Sequence, residues 1–127
     1  MPQHPTVLVV EDQLGPRESL RAILQPDYRV LMAMEGEHAI HLMEHEPVDV
    51  VLLDLRLPGL SGLHVLEKLK ALSPSLAVIV VTSYGSAETE REVVRLGAFA
   101  YILKPFNVSH LRETVKRAIA RANTRSE

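Results

Sequence analysis

Apolar residues in this chain fall into two patterns: short runs without alternation, and longer segments in which they return every three or four positions. The first reads as a strand buried on both faces, as in a parallel sheet covered on either side, and the second as an amphipathic helix. Thr6–Val10 (TVLVV) predicts a first strand. After Glu11-Asp12-Gln13 comes a helix with Pro16 near its first turn and Leu20, Ile23 and Leu24 on one face, ended by Pro26. Residues 28–33 form a second strand, and Glu35-Gly36 opens a second helix with Ala39, Ile40 and Met43 as its apolar side, closed by Pro47. Residues 48–53 are a third strand that gives way to Asp54 and a Pro58-Gly59 turn. Gly62–Leu72 predicts a helix with Val65, Leu66, Leu69 and Leu72 in its stripe and Glu67, Lys68 and Lys70 away from it, stopped by Ser73-Pro74-Ser75. Residues 76–82 are a fourth strand ending on the hydroxyl of Thr82. Residues 86–96 should be a helix capped by Ser86 and Gly97; Glu88, Glu90, Arg91 and Glu92 leave it little apolar surface, so it is expected to be the most loosely held. Residues 98–103 are a fifth strand. Asn107 caps a last helix with Leu111, Val115, Ala118, Ile119 and Ala122 buried, and the polar tail 123–127 is expected to fray.

Strands alternating regularly with helices, without repeats, predict an α/β fold: a doubly wound, five-stranded parallel sheet with five helices. At 127 residues and 46% hydrophobic, the chain has material for one core, so residues 1–127 are read as a single domain with its core at about 6–122. There is no Cys, hence neither a disulfide framework nor a thiolate metal site. Met1-Pro2-Gln3-His4-Pro5 lacks the basic and apolar regions of a signal peptide, and no apolar run approaches membrane-spanning length, so a soluble cytoplasmic protein is expected. A net charge of −2 gives no general reason to bind nucleic acid.

In such a sheet the carboxyl ends of several strands converge on one crevice, where open α/β folds place their ligands. Glu11 and Asp12 follow the first strand, Asp54 the third, Thr82 the fourth and Lys104 the fifth. Three carboxylates brought together repel one another unless a cation intervenes, and oxygen donors suit Mg²⁺, which takes one or two protein carboxylates and keeps several waters. A lysine and a hydroxyl at the same rim suit a phosphoryl group, Lys104 as a point charge and Thr82 as a donor to its oxygens. The central carboxylate, Asp54, would be the acceptor.

These residues carry a resemblance. The pair Glu11-Asp12, the turn Asp54-Leu55-Arg56-Leu57-Pro58-Gly59, Thr82 and the run Tyr101-Ile102-Leu103-Lys104-Pro105-Phe106 resemble the receiver domain of bacterial two-component response regulators, from Thr6 to about Ala122. The resemblance implies a flavodoxin-like strand order, 2-1-3-4-5. It implies that Asp54 accepts a phosphoryl group from a histidine kinase, or from a small phosphodonor, as an acyl phosphate. The domain would catalyse only its own phosphorylation and dephosphorylation and would not otherwise be an enzyme. Glu11, Asp12, Asp54 and the backbone carbonyl of Arg56 would hold Mg²⁺, Asp12 directly and Glu11 through water. Lys104 would pair with the phosphoryl oxygens, Thr82 would swing in to bond them, and Tyr101 would turn inward behind it, changing the face made by the fourth helix, fifth strand and fifth helix. A cis peptide is expected at Lys104-Pro105. Two positions that tune phosphoryl lifetime fall on Arg56 and Tyr84, and their size predicts shielding. The wording Thr82-Ser83-Tyr84-Gly85-Ser86 resembles receivers of enhancer-binding transcription activators. The implied partners are a sensor kinase or phosphotransfer protein, an output domain or partner protein, and a second copy after phosphorylation; nucleic acid and membrane are not implied. Glu90, Arg91 and Ala100 depart from the family pattern and put the usual charge pairing of that dimer in doubt. Because the sequence runs only a few residues past its last helix, either a single-domain regulator or the receiver of a longer protein is expected, with no output domain.

Other readings fit less well. A dehalogenase-like phosphatase would need a second Asp where Arg56 stands, and a flavodoxin-like cofactor binder would meet repulsion between phosphate and Glu11-Asp12. A pseudo-receiver, keeping the fold as a protein-interaction module without phosphorylation, is opposed by the intact set of acids, hydroxyl and lysine. His38, His41 and His45 share a helix face nearly opposite the apolar side, and solvation rather than zinc binding is expected of them. Arg112, Lys116, Arg117, Arg121 and Arg125 make the last helix basic, which its C-terminal dipole favours without any nucleic-acid role.

Overall fold

Successive residues of a strand point to opposite faces, and here both faces are covered. The computed structural model describes residues 4–125, the side chains of 123–125 excepted; residues 1–3, used above in reading the N-terminus, lie outside it. The strands are β1 (Thr6–Val10), β2 (Arg29–Ala33), β3 (Val50–Leu53), β4 (Ala77–Thr82) and β5 (Ala100–Leu103), all parallel, in the order β2-β1-β3-β4-β5. The helices are α1 (Leu14–Leu24), α2 (Gly36–His45), α3 (Gly62–Leu72), α4 (Ala87–Arg95) and α5 (Val108–Arg125). Val7, Val9, Leu52, Ile79 and Ile102 pack with Leu20 and Leu24 of α1 and Leu111, Val115 and Ala118 of α5. Their neighbours Leu8, Val10, Val51, Leu53 and Val80 face the other way, toward Ala39 of α2, Val65, Leu66 and Leu69 of α3, and Val93 of α4. This is the expected doubly wound architecture and strand order, with β1, β3 and β4 buried along their whole length.

Local chemistry sets most of the boundaries. Ser86 Oγ accepts the Thr89 amide at 3.0 Å and Asn107 Oδ1 the His110 amide at 3.0 Å, the expected caps of α4 and α5. Gly97 closes α4 with φ +94°, a left-handed conformation that disfavours any side chain. At Gly62 the constraint is space: a Cβ there would lie 2.3 Å from Leu55 Cα, so only glycine lets α3 start against the chain leaving β3.

Three expectations need correction. Leu72 is 49% exposed and does not join the core stripe of α3. Strands β2, β3, β4 and β5 start one or two residues late: turn bonds claim the amides of Tyr28 (to Leu24), Leu76 (to Ser73) and Ala98 (to Val93), while Asp49 and Phe99, just ahead of β3 and β5, already bond the neighbouring strand at Thr6 O and Val78 O. The tail is helical through Arg125, three residues into the segment expected to fray; residues 126 and 127 lie outside the described residues. Lys70, away from the stripe as expected, donates its ammonium to the carbonyls of Pro74 (2.7 Å) and Leu76 (2.8 Å) and ties off the turn after α3. Among the described residues, no helix is long and apolar enough to cross a membrane.

Candidate functional site

The strand order reverses between β1 and β3: α1 leaves β1 toward one face and α3 leaves β3 toward the other. A crevice opens outside the carboxyl ends of strands at such a point. Glu11 prolongs the β1 ladder, its amide bonding Ala33 O at 3.0 Å, and the Asp54 amide bonds Val10 O at 3.1 Å. Their side chains therefore enter the crevice from adjacent strands.

Asp54 is 7% exposed and every bond to its carboxylate comes from a donor. Oδ1 accepts from the Arg56 amide at 2.8 Å and from the Thr82 hydroxyl at 3.0 Å; Oδ2 accepts from Lys104 Nζ at 2.8 Å. Lys104 Nζ also donates to Glu11 Oε1, and the Gln13 amide donates to Glu11 Oε2 at 3.2 Å. Thr82 is fully buried, and its Oγ1 accepts the Tyr84 amide at 3.1 Å. Thus Glu11, Asp54, Thr82 and Lys104 form one bonded cluster. The Lys104-Pro105 peptide is cis, as expected.

Burial pushes the Asp54 carboxyl upward, but the bonds from Lys104 and the Arg56 amide outweigh it and hold the group below its ordinary range. In Glu11 burial wins over the same lysine and the Gln13 amide, and the group sits above its ordinary value. Burial lowers Lys104, but its bonds to Asp54 and Glu11 prevail and raise it, so it stays an ammonium.

Asp12 is exposed, and the donor atoms of Glu11, Asp12 and Asp54 do not all lie within 4.8 Å of one another. Lys104 lies between Glu11 and Asp54 in their place. Two carboxylates against one ammonium leave a charge of −1, and Asp12 at the rim adds another, so the all-oxygen donor set fits a hard divalent cation such as Mg²⁺.

Tyr101 does not point into the crevice. Its hydroxyl donates to Tyr84 O at 3.2 Å, bridging β5 to the loop that leads to α4. Arg56 and Tyr84 meet, the guanidinium carbon 4.9 Å from the ring centroid. Arg17 escaped the sequence reading: its Nη1 donates to the carbonyls of Glu11 (3.3 Å) and Asp12 (3.2 Å) and holds the acidic turn in place. The only signal for it was its position one turn beyond Gln13, on the side of α1 that faces that turn.

A doubly wound sheet with a buried carboxylate, a hydroxyl and an ammonium gathered at its switch point places the chain among α/β domains whose site lies at the carboxyl ends of the strands. The response regulator receiver domain model matches residues 7–116, and the chain belongs to that family. It is 33% identical over 112 residues to Sporulation initiation phosphotransferase F of Bacillus subtilis (strain 168), covering 87% of this chain and 90% of that protein. It is 33% identical over 119 residues to Transcriptional regulatory protein ZraR of Escherichia coli (strain K12), covering 93% of this chain but 27% of that protein. The fold matches the crystal structure of a CheY-like response regulator receiver domain protein from Methanospirillum hungatei JF-1 with a TM-score of 0.92 at 31% identity, covering 97% and 99% of the two chains. As a receiver domain the chain is a phosphorylation-dependent switch of two-component signalling, a family whose acidic pocket generally binds Mg²⁺.

Proposed function

We propose that Asp54 is the phosphoacceptor. The observation that carries this reading is a nearly buried carboxylate held by Lys104, Thr82 and the Arg56 amide at the sheet's switch point. An Asp54 oxygen attacks phosphorus of the donor; the bond from phosphorus to the donor's nitrogen, or to the acyl oxygen of a small donor, breaks and the leaving group departs with the electron pair. Lys104 supports the charge on the phosphoryl oxygens, and the Thr82 hydroxyl turns its hydrogen bond from Asp54 to them. Glu11, Asp12, Asp54 and the Arg56 carbonyl would hold Mg²⁺, which when bound neutralises charge as the phosphoryl group arrives. As Thr82 turns, the Tyr84 amide it anchors moves, and Tyr101 leaves the Tyr84 carbonyl for the interior, altering the α4–β5–α5 face. Arg56 and Tyr84 cover the acyl phosphate against water.

On this reading, residues 1–127 are one receiver domain (core 6–122), working in the cytoplasm with a sensor kinase or phosphotransfer protein upstream and an output domain or partner, such as a transcription-regulating one, downstream. A pseudo-receiver is not favoured, since no acid, hydroxyl or lysine of the set is missing. The test is exposure to acetyl phosphate or phosphoramidate with Mg²⁺, followed by intact mass. The wild-type chain should gain one phosphoryl group and Asp54→Ala none; equal gain in both would reject Asp54 as the acceptor.

A further inference from the structure

We propose that the solvent face of α2 carries a second cation site, for a borderline transition-metal ion such as Zn²⁺, built from His41, Glu44 and His45. The solvated-face reading of the sequence left Glu44 out and counted His38 in. In the structure one ligand atom from each of His41, Glu44 and His45 lies within 4.8 Å of the others, and His38 is not among them. The spacing i, i+3, i+4 places all three on one helical ridge. The His41 and His45 rings run side by side, centroids 4.3 Å apart and tilted by 36°.

The orientation of His45 favours metal binding. Its Nδ1 lies 2.9 Å from the His41 carbonyl oxygen, which can only accept, so Nδ1 is the donor there and Nε2 is the ring nitrogen left for a metal ion. Metal-binding histidines are commonly oriented in this way, donating the other ring N–H to a carbonyl or carboxylate. Tetrahedral ligands around Zn²⁺ sit about 3.4 Å apart. All three side chains are exposed, so ordinary torsion closes the remaining gap.

Donor chemistry separates this site from the crevice. Two imidazoles and one carboxylate suit Zn²⁺, Ni²⁺ or Cu²⁺, whereas the crevice offers oxygen donors alone and suits Mg²⁺. The two also lie at opposite ends of the sheet, since α2 ends at His45 just before β3 begins and Asp54 follows β3. Three protein ligands leave a coordination position open to water. Only Gly36 and Ala39 of α2 are fully buried, so a clip across its last turn would add order where packing supplies little.

The test is calorimetric titration of Zn²⁺ into the whole chain with excess Mg²⁺ present to occupy the crevice. One ion should bind per chain. His41→Ala and His45→Ala should each weaken binding at least about tenfold, Glu44→Gln less, and His38→Ala not at all. In parallel, Zn²⁺ should slow amide exchange over residues 41–46 in the wild type but not in the His41→Ala/His45→Ala variant, whose phosphorylation at Asp54 should be unchanged. Absence of saturable binding, or binding that survives the double substitution, would overturn the proposal. Failure of Asp54 to take phosphate would leave it untouched, because the two sites share no residue.

Discussion

Glu11 and Asp54 present the same functional group to the same ammonium, yet their affinities for protons move apart. Asp54 gains the Arg56 amide and Thr82 hydroxyl as further donors and stays ionised, whereas Glu11 is 2% exposed and held mainly by the shared lysine. The signs of their linkage to folding are opposite. The lowered Asp54 contributes stability above the ordinary carboxylate range that is lost as pH falls through its folded value. The raised Glu11 contributes stability below about 4.5 that is lost as pH rises through its folded value, so at neutral pH its charge is held against the fold's preference. Glu11→Gln should therefore raise the thermal midpoint at pH 7, with the advantage shrinking as pH falls toward the ordinary carboxylate range. A midpoint lowered equally at pH 7 and in that range would refute this account. The pair Arg56 and Tyr84 allows a second test. A cation–π contact at an exposed site is worth about 0.5–1 kcal/mol. Arg56→Ala or Tyr84→Ala should hasten loss of the acyl phosphate about two- to fivefold, and the double variant should be no faster than either single one. Rates that multiply in the double variant would mean that the two act separately. Asp54, Thr82 and Lys104 were legible because each stands where an apolar run stops, which fixes its place at the sheet's rim. Which of Glu11 and Asp12 turns inward was not, because that depends on Glu11 extending the β1 ladder to Ala33. The stacking of Arg56 on Tyr84 joins two loops with no shared periodicity, and no pattern along the chain could reveal it.

Each helix is held by what it buries, and by that measure α4 is the weakest: Val93 is its single buried residue, against four in α3. The sequence already implied this through its run of charges, since the spacing of the few apolar residues gives both the phase and the breadth of a helix's buried stripe. What phase cannot tell is how far the sheet extends beneath a helix. Leu72 has the spacing of a core residue, yet it lies past the cover of the sheet and lines a surface groove with Ile40 and Lys68. Val93→Ala should cost about 2 kcal/mol in urea unfolding, and amide exchange in α4 should be faster than in α3 or α5 even in the wild type. A negligible loss of stability, with exchange as slow as in α3, would mean that α4 is held by something other than Val93. Loose attachment also suits the proposed role, since an element that must shift on phosphorylation cannot be anchored by a deep stripe.

At the scale of the molecule, the two faces of the sheet bear different loads. One is packed by α1 and the long α5, while the other depends on three shorter helices, of which α4 adjoins β5. Around that junction Tyr84, Val94, Leu103 and Val108 are all 40% exposed or more, an apolar concentration that solvent does not favour. The departures Glu90, Arg91 and Ala100 cast doubt on charge pairing there. Ala100 packs partly buried against the α1–α5 side of the core, so an acid at that position would not have stood free on the surface in this chain. A second copy docking on this face would then be held mainly by its apolar residues. Beryllofluoride with Mg²⁺, standing in for the phosphoryl group on Asp54, should therefore raise the mass measured by light scattering toward that of a dimer. Asp54→Ala should remain monomeric under the same conditions, because it cannot hold the mimic. Leu103→Lys should also remain monomeric while still accepting phosphate, because a charge at a 50% exposed strand end spoils the contact without entering the crevice. A dimer that survives Leu103→Lys would move the contact off this face, and one that forms equally without beryllofluoride would disconnect it from the Thr82–Tyr84–Tyr101 relay.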